Sequence, residues 1–159
     1  MEHLWAPWRI EYILSDKTGE CVLCQNPSED QDKENYILYR GEKNFVILNK
    51  YPYNPGHLMI CPYRHTSSME ELNDEELLEH YQIVRRSITT LRRVFKPEGF
   101  NIGMNLGRTA GAGIDEHIHT HIVPRWNGDA NFMPVIGKTR VLSYSIETIF
   151  EILLREFNK

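Results

Sequence analysis

One short segment constrains the fold of this chain more than any other. In "HIHTHIV", residues 117–123, imidazole side chains alternate strictly with isoleucine, threonine and isoleucine. Successive side chains of a β-strand point to opposite faces, so a period of two is the period of a strand. The alternation predicts that His117, His119 and His121 share one face. Ile118, Thr120 and Ile122 share the other, with the two isoleucines packed into a core. Pro124 has no N–H to give to a ladder, and the strand is expected to stop there.

A lone strand does not fold, and the sequence supplies partners for it. Residues 36–40 ("YILYR") and 44–49 ("NFVILN") flank a "GEK" turn and read as a hairpin. Residues 57–62 ("HLMICP") read as a third strand after the Pro- and Gly-rich "KYPYNPG", and the polar residues 25–35 read as a loop. A long helix follows. Asn73 is placed as its N-cap, with Glu76 three residues on as in a capping box. Leu77, Tyr81, Val84, Ile88, Leu91 and Phe95 recur at steps of four and three and predict one buried stripe. Arg85, Arg86, Arg92 and Arg93 fall off that stripe, and Pro97 and Gly99 stop the helix. Residues 100–106 read as a strand and the glycine-rich residues 107–113 as a flexible loop. A last helix is expected over residues 145–157, with Ile146, Ile149, Phe150, Leu153 and Phe157 on one side. Hairpin-linked strands crossed by a long helix predict an α+β domain: a mainly antiparallel sheet of about five strands, plus a C-terminal helix.

The 159 residues suit a single domain with one core. A net charge of −4, with no long block of either sign, argues against a nucleic-acid or membrane-surface binder. A small polyanion remains compatible, because a few local donors can hold phosphates. No apolar run approaches the roughly 18 residues of a membrane span. The opening "MEHLWAPWRIEYI" lacks the layout of a signal peptide. Three cysteines, Cys21, Cys24 and Cys61, fit a reducing cytosol better than a disulfide framework, so a cytoplasmic location is expected.

Three imidazoles on one face need partners for their ring nitrogens and repel one another when protonated, so packing alone does not call for them. One reading is a solvated edge strand. A second is a metal site, since histidines from one strand face can hold zinc or iron. A third is covalent catalysis, in which a neutral imidazole attacks phosphorus while its neighbours orient it and donate protons. The flanks favour the third. "IVPRW" supplies no carboxylate to complete a metal site, whereas "NLGRTAGAG" upstream can bring backbone N–H groups close to phosphate oxygens.

"CVLC" at Cys21–Cys24 is open between a redox pair, half of a zinc site and coincidence. Cys61 sits in an apolar strand and reads as a small buried hydrophobe. His57 reads as a turn-edge surface residue, with a place in a ligand pocket as the alternative, and His3 and His80 read as solvent-exposed. Trp5, Trp8 and Trp126 read as packing anchors, with stacking on a base open to one of them.

Taken together, these segments resemble the histidine triad (HIT) family of nucleotide hydrolases and transferases. "HIHTHIVPRW" is similar to its His-x-His-x-His-x-x signature, residues 44–65 to its hairpin and third strand, and "NLGRTAGAG" to its phosphate loop. Residues 4–13 and 121–134 look most like its prokaryotic branch of diadenosine tetraphosphate phosphorylases. The resemblance implies one HIT domain over residues 1–159 with a core over about 21–130. It implies that His119 is the nucleophile on the α-phosphorus, between His117 and His121, with His121 on the phosphate or leaving-group oxygen. It sets Asn49 at the ribose, Asn105 at a phosphate, and Gly107, Gly111 and Gly113 in the phosphate loop. It implies a structural zinc, one per chain, held by Cys21, Cys24, His65 and His117.

The expected activity is nucleotidyl transfer from dinucleoside polyphosphates, chiefly adenine nucleotides. Diadenosine tetraphosphate and inorganic phosphate would give ATP and ADP. Hydrolysis of nucleoside phosphoramidates or AMP conjugates is an alternative, as is a zinc-containing nucleotide-binding module without turnover. The resemblance also implies a homodimer with the sheet continued across the interface. One departure stands out. Many relatives place Gln and Ser or Thr just before the first histidine. Here Ala112, Gly113, Ile114, Asp115 and Glu116 occupy that region. Backbone N–H groups must then replace side-chain contacts, which leaves room for a second anion and agrees with phosphorolysis.

Overall fold

The structure, a computed structural model, describes residues 21–129 and 143–159. Among them the order is α1 (Val22–Ser28), β1 (Ile37–Arg40), β2 (Asn44–Leu48), β3 (Leu58–Pro62), α2 (Asp74–Phe95), β4 (Gly99–Met104), β5 (Thr120–Arg125) and α3 (Ile146–Phe157). The strands form one antiparallel sheet in the order β1-β2-β3-β5-β4. This is the expected α+β architecture. None of the described helices is long and apolar enough to cross a membrane.

The sheet is covered on both faces, which explains why β2 and β3 are buried at every residue. On one face Val46, Leu48, Leu58, Ile60 and Ile122 pack against Ile83, Val84 and Leu91 of α2 and Ile149, Phe150, Leu153 and Phe157 of α3. On the other, Ile37, Phe45, Ile47, Met59 and Cys61 lie under Leu23 of α1. The register lines up a row across four strands: His121 opposite Met59, Met59 opposite Ile47, Ile47 opposite Ile37. α1 occupies part of the stretch expected to be loop. It is short and contains Pro27, so no helical stripe announced it, and the burial of Leu23 at 1 % exposure anchors it.

α2 begins as expected. Asn73 Oδ1 accepts from the Glu76 N–H and Glu76 Oε2 accepts from the Asn73 N–H, both at 2.9 Å. Its buried stripe, however, runs through Glu76, His80, Ile83, Val84, Ser87, Thr90 and Leu91, and Tyr81 is exposed. The expectation that His80 is solvent-exposed is therefore overturned. His80 replaces an apolar residue on the stripe because β2 and β5 offer it polar partners: Nδ1 lies 2.8 Å from Asn44 Oδ1 and Nε2 lies 2.7 Å from Thr120 Oγ1. The helix ends at Phe95. Lys96, with φ 48°, takes the left-handed cap, and Gly99 opens β4 instead of stopping the helix.

β5 also departs from expectation. It starts at Thr120, so His117 and His119 precede the ladder, and the Ile118 N–H bonds instead to the Thr66 carbonyl at 2.8 Å. Nor does Pro124 end the strand, for it pairs with Phe100 of β4. β3 pairs with β5 only from Thr120 to Ile122, so no ladder donor is wanted from Pro124 on that side. The Pro124 carbonyl accepts there from Asn54 Nδ2 at 2.9 Å.

Candidate active site and metal site

His119 is 4 % exposed, and its Nδ1 lies 2.8 Å from the His117 carbonyl oxygen. A carbonyl only accepts, so Nδ1 carries the proton and the Nε2 lone pair is left over. Burial holds the His119 pKa below its ordinary value, which keeps the ring neutral. His119 and His121 line one cleft of about 630 Å³ together with Asn49, Met59, Tyr53 and Gly113, a size that suits a small-molecule ligand. The two rings meet edge to face with centroids 4.8 Å apart.

The tautomer of His121 follows from His57, which is not the surface residue its turn-edge position suggests. His57 is fully buried, and its Nδ1 accepts from the Tyr53 N–H at 3.1 Å. Its proton is therefore on Nε2, which lies 2.9 Å from His121 Nδ1. His121 Nδ1 accepts, and its own proton sits on Nε2. The period of two from Met59 was the signal that puts His57 on the histidine face. The turn carrying His57 is pinned in turn by Asn54, whose Nδ2 reaches Asp129 Oδ2 at 2.8 Å. The Asp129 carboxyl is held well below the usual range by Arg125 beside it.

Of the expected substrate contacts, Asn49 and Gly113 line the cleft. Asn105, Gly107 and Gly111 are not among its lining residues. Asn105 Nδ2 turns to the Gly111 carbonyl at 3.5 Å within its own loop, while Gly107 and Gly111 supply left-handed turns at φ 80° and 87°. Trp126 is half-buried and gives its indole N–H to the Phe95 carbonyl at 3.2 Å. His3, Trp5, Trp8 and residues 130–134 lie outside the described residues.

The expected metal ligands do converge. One ligand atom from each of Cys21, Cys24, His65 and His117 lies within 4.8 Å of the others. His117 Nδ1 stands 3.4 Å from both Cys21 Sγ and Cys24 Sγ, and His65 Nδ1 stands 3.2 Å from Cys24 Sγ. His117 Nε2 lies 2.9 Å from the Pro62 carbonyl, so it bears the proton and Nδ1 faces the sulfurs with its lone pair. Two thiols and two imidazoles at these spacings fit a tetrahedral metal ion with every position filled by protein. The burial of Cys61, whose thiol pKa is raised by its apolar surroundings, keeps it out of the set as expected.

Comparison with known proteins agrees with this geometry. Residues 30–128 match the HIT domain. The AP-4-A phosphorylase of Mycobacterium tuberculosis is 38 % identical over 165 residues, spanning 99 % of this chain and 85 % of that protein. The asymmetrical bis(5'-nucleosyl)-tetraphosphatase of Schizosaccharomyces pombe is 31 % identical over 93 residues, 58 % of this chain and 50 % of that one. Among solved structures, a zinc-bound histidine triad family protein from Mycobacterium smegmatis superposes with a TM-score of 0.70 at 27 % identity, covering 87 % of this chain and 94 % of that one.

Proposed function

The chain belongs to the HIT domain family, and on that premise we propose that it is a nucleotide-processing enzyme whose His119 carries a nucleotidyl group from a dinucleoside polyphosphate to inorganic phosphate. The observation that carries the reading is the His119 Nδ1–H bond to the His117 carbonyl at 2.8 Å, which leaves Nε2 as the free lone pair. In the first step Nε2 attacks the α-phosphorus of diadenosine tetraphosphate. A P–N bond forms and the bond to the bridging oxygen breaks, releasing ATP. His121 Nε2–H stands beside His119 to stabilise or protonate the departing oxygen. In the second step an oxygen of inorganic phosphate attacks the same phosphorus, the P–N bond breaks, and ADP leaves. Asn49, on the cleft wall, serves the ribose, and Gly113 lines the same cleft where the phosphates would lie.

The Cys21, Cys24, His65 and His117 set would hold zinc. Bound there, zinc supplies a structural closure that fixes His117, and with it the carbonyl that orients His119. A homodimer is part of the same reading: β4 is an edge strand with Asn101, Ile102 and Gly103 exposed, open to pairing with a second copy. The test is product analysis of diadenosine tetraphosphate incubated with and without inorganic phosphate. ADP formed only with phosphate supports phosphorolysis. AMP plus ATP formed without phosphate makes the enzyme a hydrolase, and no turnover in either case leaves a binding module.

A further inference from the structure

The face of the sheet away from the cleft is apolar where α2 and α3 cover it, yet a line of polar side chains runs through that layer. Asn44 of β2, His80 of α2 and Thr120 of β5 are all buried, and half-buried Glu79 stands at one end. The direction of each hydrogen bond in the line is fixed. Asn44 Nδ2 lies 3.1 Å from the Glu76 carbonyl and 3.0 Å from Glu79 Oε2, so both amide hydrogens face acceptors and Oδ1 faces His80. His80 Nδ1, 2.8 Å from that oxygen, carries the proton. His80 Nε2 is then an acceptor, and the Thr120 hydroxyl 2.7 Å away donates to it. Glu79 closes the line with carboxylate oxygens that also accept the Glu42 and Lys43 N–H groups at 2.7 and 2.8 Å.

We propose that Thr120 and His80 are positioning residues, and that the Thr120–His80–Asn44–Glu79 line holds His119 and His121 in place against the cleft. Its bearing on turnover rests on the nucleotide-processing reading. Thr120 lies between the two histidines and is the residue at which β5 begins. Its side chain goes to α2 while His121 turns to the cleft, so a bond made on one face sets the rotation of the strand on the other. The pairing of β5 with β3 and β4 reaches no further back than Thr120, so the place of His119 depends on how that first residue is held. Apolar contacts tolerate small shifts, whereas a hydroxyl that must meet one ring nitrogen does not. A valine has the shape of Thr120 and a leucine would suit the apolar layer at His80, so burial alone does not call for the pair.

Thr120→Val keeps the shape of the side chain and removes the hydroxyl, while Thr120→Ser keeps the hydroxyl and removes a methyl group. With kinetics read well below each melting temperature, Thr120→Val is expected to lower kcat for diadenosine tetraphosphate by about 10- to 100-fold, the effect of displacing reacting groups by up to about 1 Å, with KM changed far less. Thr120→Ser should recover most of that loss. The double variant His80→Leu/Thr120→Val leaves no unsatisfied nitrogen in the core, so its melting temperature should return toward that of the unaltered chain while kcat stays low. Proton NMR of the full chain reads the same effect without turnover: the His119 Nδ1–H should exchange with solvent faster in Thr120→Val and at the unaltered rate in Thr120→Ser. A Thr120→Val chain that keeps its kcat, a Thr120→Ser chain as slow as Thr120→Val, or a double variant that regains kcat along with stability overturns the positioning role and leaves the nucleotide-processing reading untouched. An unaltered chain without turnover overturns that reading instead, and exchange at His119 then decides the positioning role alone.

Discussion

His119 gives its Nδ1 proton to the backbone carbonyl of His117, 2.8 Å away, while the side chain of His117 turns its own Nδ1 to two cysteine sulfurs. His117 thus joins the Cys/His cluster to the proposed nucleophile, through its ring on one side and its backbone on the other. His119→Ala removes the attacking nitrogen and none of these bonds except its own. It is expected to lower kcat by roughly 10⁴-fold, as loss of a nucleophile does, while AMP binding stays within a factor of a few. Single-turnover kinetics and calorimetry on the same preparation check both halves.

The metal set predicts that the purified chain carries close to one equivalent of zinc and that Cys24→Ser abolishes it. A closed structural site couples metal binding to folding, so a chelator should lower the melting temperature by at least several degrees. It should also lower kcat, because His117 is no longer held. Elemental analysis and thermal melting decide it, and a chain purified without chelator that contains no zinc removes the site.

Burial pushes the His80 pKa down to about 4 from 6.5, against an opposing pull from Glu79. In the unfolded chain the imidazole regains its ordinary value and binds more protons than the folded one between pH 6.5 and 4. Stability contributed by the neutral ring is therefore complete above pH 6.5 and falls as pH drops toward 4, by at most about 3 kcal/mol. His80→Gln should flatten this fall relative to the unaltered chain in denaturant titrations at pH 7, 5.5 and 4. Parallel curves for the two proteins would remove His80 as the cause.

His57 bears its proton on Nε2, toward His121 Nδ1. His57→Ala leaves the His121 tautomer undefined and is expected to reduce kcat by about 10²-fold, the scale of a general acid, with KM changed far less. Steady-state kinetics separates the two. A variant that changes KM alone would place His57 in binding.

The alternation was legible at Ile122 and His121, because Ile122 packs under α2 and α3 while His121 turns to the cleft on the other face. The same periodicity misread the buried polar residues. His80 lies inside the hydrophobic stripe of α2, and only the distant Asn44 and Thr120 make that place tolerable. His57 looked like a turn residue because the tyrosine and histidine that cover it are 4 and 64 residues away along the chain. The continuation of β5 through Pro124 depends on where β3 stops, a fact of sheet register that local sequence does not carry.

The proposed reaction turns on a covalent bond between phosphorus and His119. Rapid acid-free quenching with labelled diadenosine tetraphosphate, in the absence of inorganic phosphate, followed by peptide mass spectrometry, tests it most directly. A nucleotidyl group is expected on the peptide containing His119, lost on addition of phosphate as ADP appears. Turnover with no such adduct at any time point, or an adduct on another side chain, would contradict it.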